Sequence, residues 1–204
     1  MLVVAKAPVP GRVKTRLTPA FSPRQAALLA EAALRDTLDA VRAAPARRRV
    51  LVLEGTPGAW LPPGFEVEPQ CGGGLDERLA YAFGLCEGPA LLVGMDTPQI
   101  TPALLAAGLD MAADEASFGA AEDGGFWALG LGAPRPALVR GVPMSTPSTG
   151  AVQRARLVDA GLTVRELPPL RDVDTPDDAR AVAALAPWSR FAAVLSALAG
   201  AGAR

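Results

Sequence analysis

Short apolar runs, each closed by a loop of proline, glycine or charge and then by a helix-start signal, recur along this chain and leave it few folds to choose from. Leu2–Ala5, Val50–Leu53 and Ala90–Val93 are such runs. Runs this short and this continuously apolar suit strands buried on both faces. The helix signals fall between them. Ser22-Pro23-Arg24-Gln25 offers a cap, a proline at the first helical position and a glutamine that completes a capping box. The helix it opens is expected to reach about Ala43, with Leu28, Leu34, Leu38 and Val41 helping to form its buried face.

The remaining elements continue the alternation. Phe65–Glu68 suits a short strand, and Gly72-Gly73-Gly74 precedes a helix from Leu75 to about Cys86. Asp76 and Glu77 fall in its first turn, where they favour the helix dipole. Thr101-Pro102 opens a helix to about Asp114. Ser117–Ala121 is extended, Asp123-Gly124-Gly125 is a turn, and Phe126–Leu131 resumes a strand. Thr146-Pro147 starts a helix to about Gly161, Thr163–Leu167 is a strand, and Asp174-Thr175-Pro176 starts the next helix. The apolar tail Phe191–Ala203, broken by Ser196, Gly200 and Gly202, is too short to span a bilayer. It reads as a docked helix with a frayed end, or as a partner surface in an oligomer. No repeat or linker divides residues 1–204, so the expectation is one α/β domain whose residues 187–204 are that helix and tail.

Strands alternating with helices imply a mostly parallel sheet covered on both faces. Such sheets bind ligands at the carboxyl ends of their strands. Composition narrows the chemistry that can occur there. The chain has no histidine, which excludes histidine bases, histidine-based triads and most zinc sites. Its formal net charge of -1 calls for neither a nucleic acid nor an anionic membrane as partner. The 2 cysteines have no metal-ligand spacing and form no disulfide framework, which suits a reducing cytoplasm. The start Met1–Lys6 has no charged leader. Carboxylates, Lys, Arg, hydroxyls, backbone amides or a bound hard cation must do the work.

Four segments pass the test of lying just after a strand. Lys6-Ala7-Pro8-Val9-Pro10-Gly11-Arg12-Val13-Lys14-Thr15-Arg16-Leu17 gathers Lys6, Arg12, Lys14 and Arg16 in one stiffened loop. Several cations there can clamp a polyphosphate, and Gly11 permits close backbone approach. It is not a Walker loop, since no Gly-Lys-Ser/Thr is present. Gly94-Met95-Asp96-Thr97-Pro98 puts a carboxylate beside it, either as an oxygen ligand for Mg²⁺ or Mn²⁺ or as a plain turn residue. Asp172-Val173-Asp174-Thr175-Pro176-Asp177-Asp178 supplies helix caps and, with Asp172 or Asp174, a further metal carboxylate. Glu122-Asp123-Gly124-Gly125 makes a tight turn in which Asp123 either meets an acceptor, acts as a base, or only shapes the turn. Gln70–Gly74, Gly73 included, could let a base or sugar approach. Ser145–Thr149 reads first as a helix start.

The segments Ala5–Leu17, Gly94–Pro98, Asp123–Leu131, Ser145–Leu157 and Leu167–Asp178, in this order, resemble an uncharacterised bacterial family of GT-A-like proteins labelled arsenosugar-biosynthesis-associated glycosyltransferases. That family is similar, distantly, to the phospholactate and phosphoenolpyruvate guanylyltransferases. The resemblance implies a three-layer α/β/α, Rossmann-like nucleotide-diphospho-sugar transferase fold with a mostly parallel mixed sheet. It implies nucleotide contacts from Lys6, Pro10, Gly11, Arg12, Lys14, Arg16 and Gly73, with Lys14 and Asp123 as catalytic candidates. It also implies Mg²⁺ or Mn²⁺ near Asp96, with Asp174 or Asp172 as the further carboxylate. Met95 stands where the family commonly has a small hydroxyl residue, and Phe126 and Trp127 stand where it has tyrosines. The expected activity is metal-dependent glycosyl transfer from a nucleotide sugar to a small acceptor. The alternative is nucleotidyl transfer from a nucleoside triphosphate to a phosphorylated small acid, with pyrophosphate leaving. A third reading is nucleotide binding without catalysis.

Overall fold

The computed structural model describes the backbone of residues 1–202 and the side chains of residues 1–200. Seven strands, β1 (Leu2–Lys6), β2 (Val50–Glu54), β3 (Glu66–Pro69), β4 (Ala90–Val93), β5 (Glu115–Ala121), β6 (Phe126–Leu131) and β7 (Thr163–Leu170), form one sheet in the order β3-β2-β1-β4-β6-β5-β7. Among the described residues, six α-helices accompany them: α1 (Pro23–Ala43), α2 (Leu75–Gly84), α3 (Pro102–Leu109), α4 (Thr149–Asp159), α5 (Pro176–Leu185) and α6 (Arg190–Gly202). The pairings are parallel except for β6, which runs antiparallel to both β4 and β5. The sheet is therefore mixed but mostly parallel.

The period of two in the strands sorts their side chains into two cores. Val3, Leu51, Leu53, Leu91 and Val93 face a core shared with Leu34, Leu38 and Val41 of α1 and Leu105 of α3. Leu2, Val50, Val52, Leu92 and Leu129 face the other, with Leu79 and Phe83 of α2 and Leu157 of α4. A third cluster joins α1, α5 and α6 around Leu29, Val182 and Phe191, and takes in Leu17 and Val173 from loops that reach the site. Asp36 of α1 accepts hydrogen bonds from the Arg190 and Phe191 amides (3.1 and 2.9 Å), so a side chain of α1 caps α6. Trp188 and Leu185, by contrast, are exposed. The fraying expected of the tail falls on residues outside those described. Among the described residues, no helix is long and apolar enough to cross a membrane.

Several boundaries differ from expectation. The Ser22 capping box forms as anticipated, but Leu28 is 45% exposed. Helix α1 buries Leu34, Leu38 and Val41 against the sheet and Leu29 and Ala33 against α6, and Leu28 lies on neither face. Helix α2 stops at Gly84, and α3 stops at Leu109 rather than near Asp114. There the chain turns: Glu115 Oε2 accepts from the Ala112 amide (2.9 Å), which commits that amide outside a helix. Helix α4 begins at Thr149 rather than after Thr146, because Ser145 adopts a left-handed φ of 59 and Thr149 Oγ1 accepts from the Thr146 amide (3.0 Å). Strand β7 runs past Leu167 through two prolines to Leu170. It is an edge strand, where proline's missing donor is tolerated.

Candidate functional site

The carboxyl ends of β1, β4 and β7 meet at one cavity of about 460 Å³. The basic loop forms one wall. Val13 and Leu17 are buried, which holds Lys14 between them in place, while Arg12 and Arg16 are exposed. The segment turns tightly: the Arg12 amide donates to Val9 O (3.0 Å) and the Leu17 amide to Lys14 O (3.0 Å). Among the described residues, the two non-glycines with positive φ are Lys14 (48) and Ser145 (59), and both line this cavity. Backbone strain of this kind persists where surrounding packing imposes it, and it concentrates at working sites.

Lys14 is the centre of the charge arrangement. Its side chain is only 9% exposed, and Nζ lies 2.9 Å from Asp96 Oδ1 and 3.0 Å from Asp174 Oδ1. Arg16 Nη1 takes the other oxygen of Asp174 at 3.0 Å. Burial pulls the Lys14 ammonium down, but the two carboxylates outweigh it and leave its pKa above the ordinary value. Burial likewise pushes Asp174 up, and Lys14 and Arg16 more than reverse that, leaving it below the ordinary value. Asp172 is in the opposite position. Burial first, then the charges of Asp96 and Asp123, push its pKa up to about 7. Its Oδ1 is buried without a hydrogen-bond partner, as is Thr97 Oγ1 beside Asp96. The two loops are tied together by the Val173 amide, which donates to Asp96 O (2.9 Å).

The donor set at these loops fits a hard divalent cation. Asp96, Asp172 and Asp174 line the cavity, and Asp172 has a buried oxygen with no partner, which a cation would satisfy. Among the described residues, however, no three such side chains converge on an ion as they stand. Lys14 holds the space between Asp96 and Asp174. Asp174 is also flanked by the cap that starts α5, where Thr175 and Asp178 make a capping box that uses neither Asp172 nor Asp174.

The opposite wall comes from the β5–β6 turn and the segment before α4. Asp123 lines the cavity, and its Oδ1 accepts from the Gly125 amide (2.8 Å), so it shapes the turn as well. Gly124 and Gly125 lie against α4: the Gly150 amide donates to Gly124 O at 2.8 Å. Ser145, Thr146 and Thr149 line the same wall. Behind it lies a smaller cavity of about 200 Å³, lined by Glu122, Asp123, Arg171, Asp172, Asp174 and Asp178.

Not every anticipated residue reaches the cavity. Lys6, Arg12, Lys14, Arg16, Asp96, Asp123, Asp172 and Asp174 line it, whereas Pro10, Gly11 and Gly73 do not. Gly11 has a φ of 77, as its turn requires, with open space where a Cβ would stand; Gly73 packs over Glu77. Met95 is buried, and its sulfur accepts from the Lys6 amide (3.2 Å), tying β4's end to β1's. Trp127 is 2% exposed and donates Nε1–H to Pro168 O (3.0 Å), while Phe126 packs on Phe118. These two rings brace the sheet around the cavity. Glu54 and Arg78 are not among those anticipated, and they join Lys6 and Gln70, which are. Arg78 Nη1 donates to Glu54 Oε2 (2.7 Å) and Gln70 Oε1 (3.2 Å), Lys6 pairs with Glu54 (3.3 Å), and Gln70 Nε2 donates to Ala5 O (2.8 Å). Glu54 ends β2 and Gln70 follows β3, so the rule that singled out Lys6 and Asp96 points to them too.

The family model described as "Uncharacterized protein conserved in bacteria (DUF2064)" matches residues 28–146, a span that includes Asp96 and Asp123 but not the basic loop. A phosphoenolpyruvate guanylyltransferase of Thermomonospora curvata is 36% identical over 202 residues, covering 90% of this chain and 83% of that one. A crystal structure from Desulfovibrio desulfuricans G20, assigned to the nucleotide-diphospho-sugar transferases, superposes with a TM-score of 0.84 at 25% identity, covering 96% of this chain and 93% of that one. The 2-C-methyl-D-erythritol 4-phosphate cytidylyltransferase of Thermus thermophilus shares the fold, with a TM-score of 0.55 at 18% identity over 92% of this chain and all (100%) of that one.

Proposed function

Because this chain belongs to the DUF2064 family and has a nucleotide-diphospho-sugar transferase fold, we propose that it is a nucleotidyltransferase joining a nucleoside triphosphate to a phosphorylated small acid. The observation that carries this reading is its 36% identity to a phosphoenolpyruvate guanylyltransferase across 90% of the chain. It supports the alternative anticipated from sequence above the glycosyl-transfer reading, which rests on the D. desulfuricans superposition.

The chemistry suits the site. An acceptor phosphate oxygen attacks the α-phosphorus, the α–β bridging P–O bond breaks, and pyrophosphate leaves with the bonding pair. A phosphate nucleophile is already ionised at neutral pH and needs no general base. Asp123 then serves to shape the acceptor wall rather than to remove a proton. Charge builds on the leaving pyrophosphate, and Arg12, Lys14 and Arg16 line the cavity where fixed cations stabilise it. Asp96 and Asp174, with Asp172, would hold Mg²⁺ or Mn²⁺, which when bound supplies further positive charge to the phosphates. The network of Glu54, Gln70 and Arg78 fixes the floor at the ends of β2 and β3, and is our candidate for the nucleoside side of the cavity.

Phosphorus NMR of the protein incubated with nucleoside triphosphates or nucleotide sugars, Mn²⁺ or Mg²⁺, and phosphoenolpyruvate or phospholactate tests this. Pyrophosphate together with the signals of a new diphosphate diester is the expected result. Nucleoside diphosphate released from a nucleotide sugar alone would establish glycosyl transfer instead.

A further inference from the structure

Lys14 sits where a bound metal would have to sit. Its ammonium is 2.9 Å from Asp96 Oδ1 and 3.0 Å from Asp174 Oδ1. Those same two carboxylates, with Asp172, are the groups that would hold a hard divalent ion. Two cations cannot share that space. In the free protein, Lys14 pairs with both carboxylates and Arg16 with Asp174, so these two acids are already engaged by cations.

The lysine is placed there by the backbone. Its φ of 48 lies in the left-handed region, and the loop is clamped by buried Val13 and Leu17 on either side. Arg12 and Arg16, both exposed, line the same cavity beside it. A polyphosphate entering there offers Lys14 a different anion, and a carboxylate pair released from its lysine becomes a metal site.

We infer that Lys14 is a built-in counter-ion that keeps divalent metal off Asp96 and Asp174 until a polyphosphate draws it away, so that metal and nucleotide bind cooperatively. The inference rests on the nucleotidyltransferase reading for the identity of the polyphosphate, but its geometry does not. Coupling is reciprocal: the metal raises nucleotide affinity by the factor by which the nucleotide raises metal affinity.

The test is Mn²⁺ binding to nucleotide-free protein, followed by electron paramagnetic resonance. Lys14→Met should bind Mn²⁺ roughly 10- to 100-fold more tightly than the unaltered chain, the usual span for coupled sites. Equal or weaker binding overturns the inference. A second measurement needs no variant. The chain has two lysines, Lys6 and Lys14, so side-chain ¹⁵N NMR of lysine-labelled protein reports each one. Millimolar Mg²⁺ alone should leave the Lys14 resonance in place, and inorganic tripolyphosphate should shift it. Displacement by Mg²⁺ alone, or no response to tripolyphosphate, refutes the counter-ion role. Neither arm involves turnover, so a protein that passes both and transfers no nucleotide disproves the activity and leaves this inference standing.

Discussion

Replacing Gly124 with alanine places a methyl carbon 2.1 Å from the Pro147 carbonyl oxygen, at a residue whose φ is +89. The backbone strain alone costs about 1–2 kcal/mol for a residue with a Cβ. The contact cannot be relieved by a side-chain rotation, because the atom it meets is main chain. The segment leading into α4 must shift, and with it goes the Gly150 N–H to Gly124 O bond of 2.8 Å, a further loss of about 1 kcal/mol. The sum is about 2–3 kcal/mol, or roughly 4–12 °C in melting temperature for a chain of this size. Gly11→Ala is the matched comparison. It carries a similar φ of +77 but meets nothing within 4 Å, so strain alone applies and the cost should be about 1 kcal/mol. Urea unfolding followed by circular dichroism measures both. If Gly124→Ala is no less stable than Gly11→Ala, the turn does not pack on α4 as described and the wall carrying Asp123 is placed wrongly.

Other consequences are open to direct measurement. Phe191→Ala removes the 1%-exposed anchor of α6 and should cost about 3–5 kcal/mol in urea unfolding. Glu54 is raised by burial but lowered further by Arg78 and Lys6, so its folded pKa lies below the ordinary value. Its stabilising contribution is therefore complete above the ordinary glutamate pKa of about 4.3 and is lost as pH falls through the depressed folded value. The difference in urea midpoint between the unaltered chain and Glu54→Gln should accordingly be present at neutral pH and close in acid; a gap that widens in acid contradicts the pairing. Asp174→Asn removes the anion shared by Lys14 and Arg16 and should lower kcat/KM for pyrophosphate release on the order of 100-fold.

Much of the fold is legible in the sequence because its signals are local. Leu2–Ala5, Val50–Leu53 and Ala90–Val93 are continuous apolar runs bounded by breakers, and such runs in an alternating chain have few places to go but a buried sheet. The Ser22 capping box is likewise written in adjacent residues. What is not legible depends on partners distant along the chain. The Lys14–Asp174 bond joins residues 160 apart, and no local pattern says that the basic loop's lysine pairs with carboxylates. Thr146-Pro147 resembles a helix entry, yet the Thr149 hydroxyl's bond to the Pro143 carbonyl (2.8 Å) holds the chain in a turn until α4 starts at Thr149. Leu28 belongs to the core by composition, whereas its exposure follows from which two faces α1 turns to the sheet and to α6. Pro10, Gly11 and Gly73 are drawn in by the motifs around them, and only geometry shows that they stand outside the cavity those motifs line.

Nucleotidyl transfer is tested most directly by following the acceptor's oxygens. Phosphoenolpyruvate carrying ¹⁸O in its phosphate is incubated with GTP, divalent metal and the protein, and the products are weighed by mass spectrometry. Attack by the acceptor phosphate on the α-phosphorus predicts that every ¹⁸O remains in the new nucleotide product and that the pyrophosphate released is unlabelled. Pyrophosphate formed while labelled phosphoenolpyruvate is recovered unlinked, or a nucleoside diphosphate in place of pyrophosphate, would contradict it.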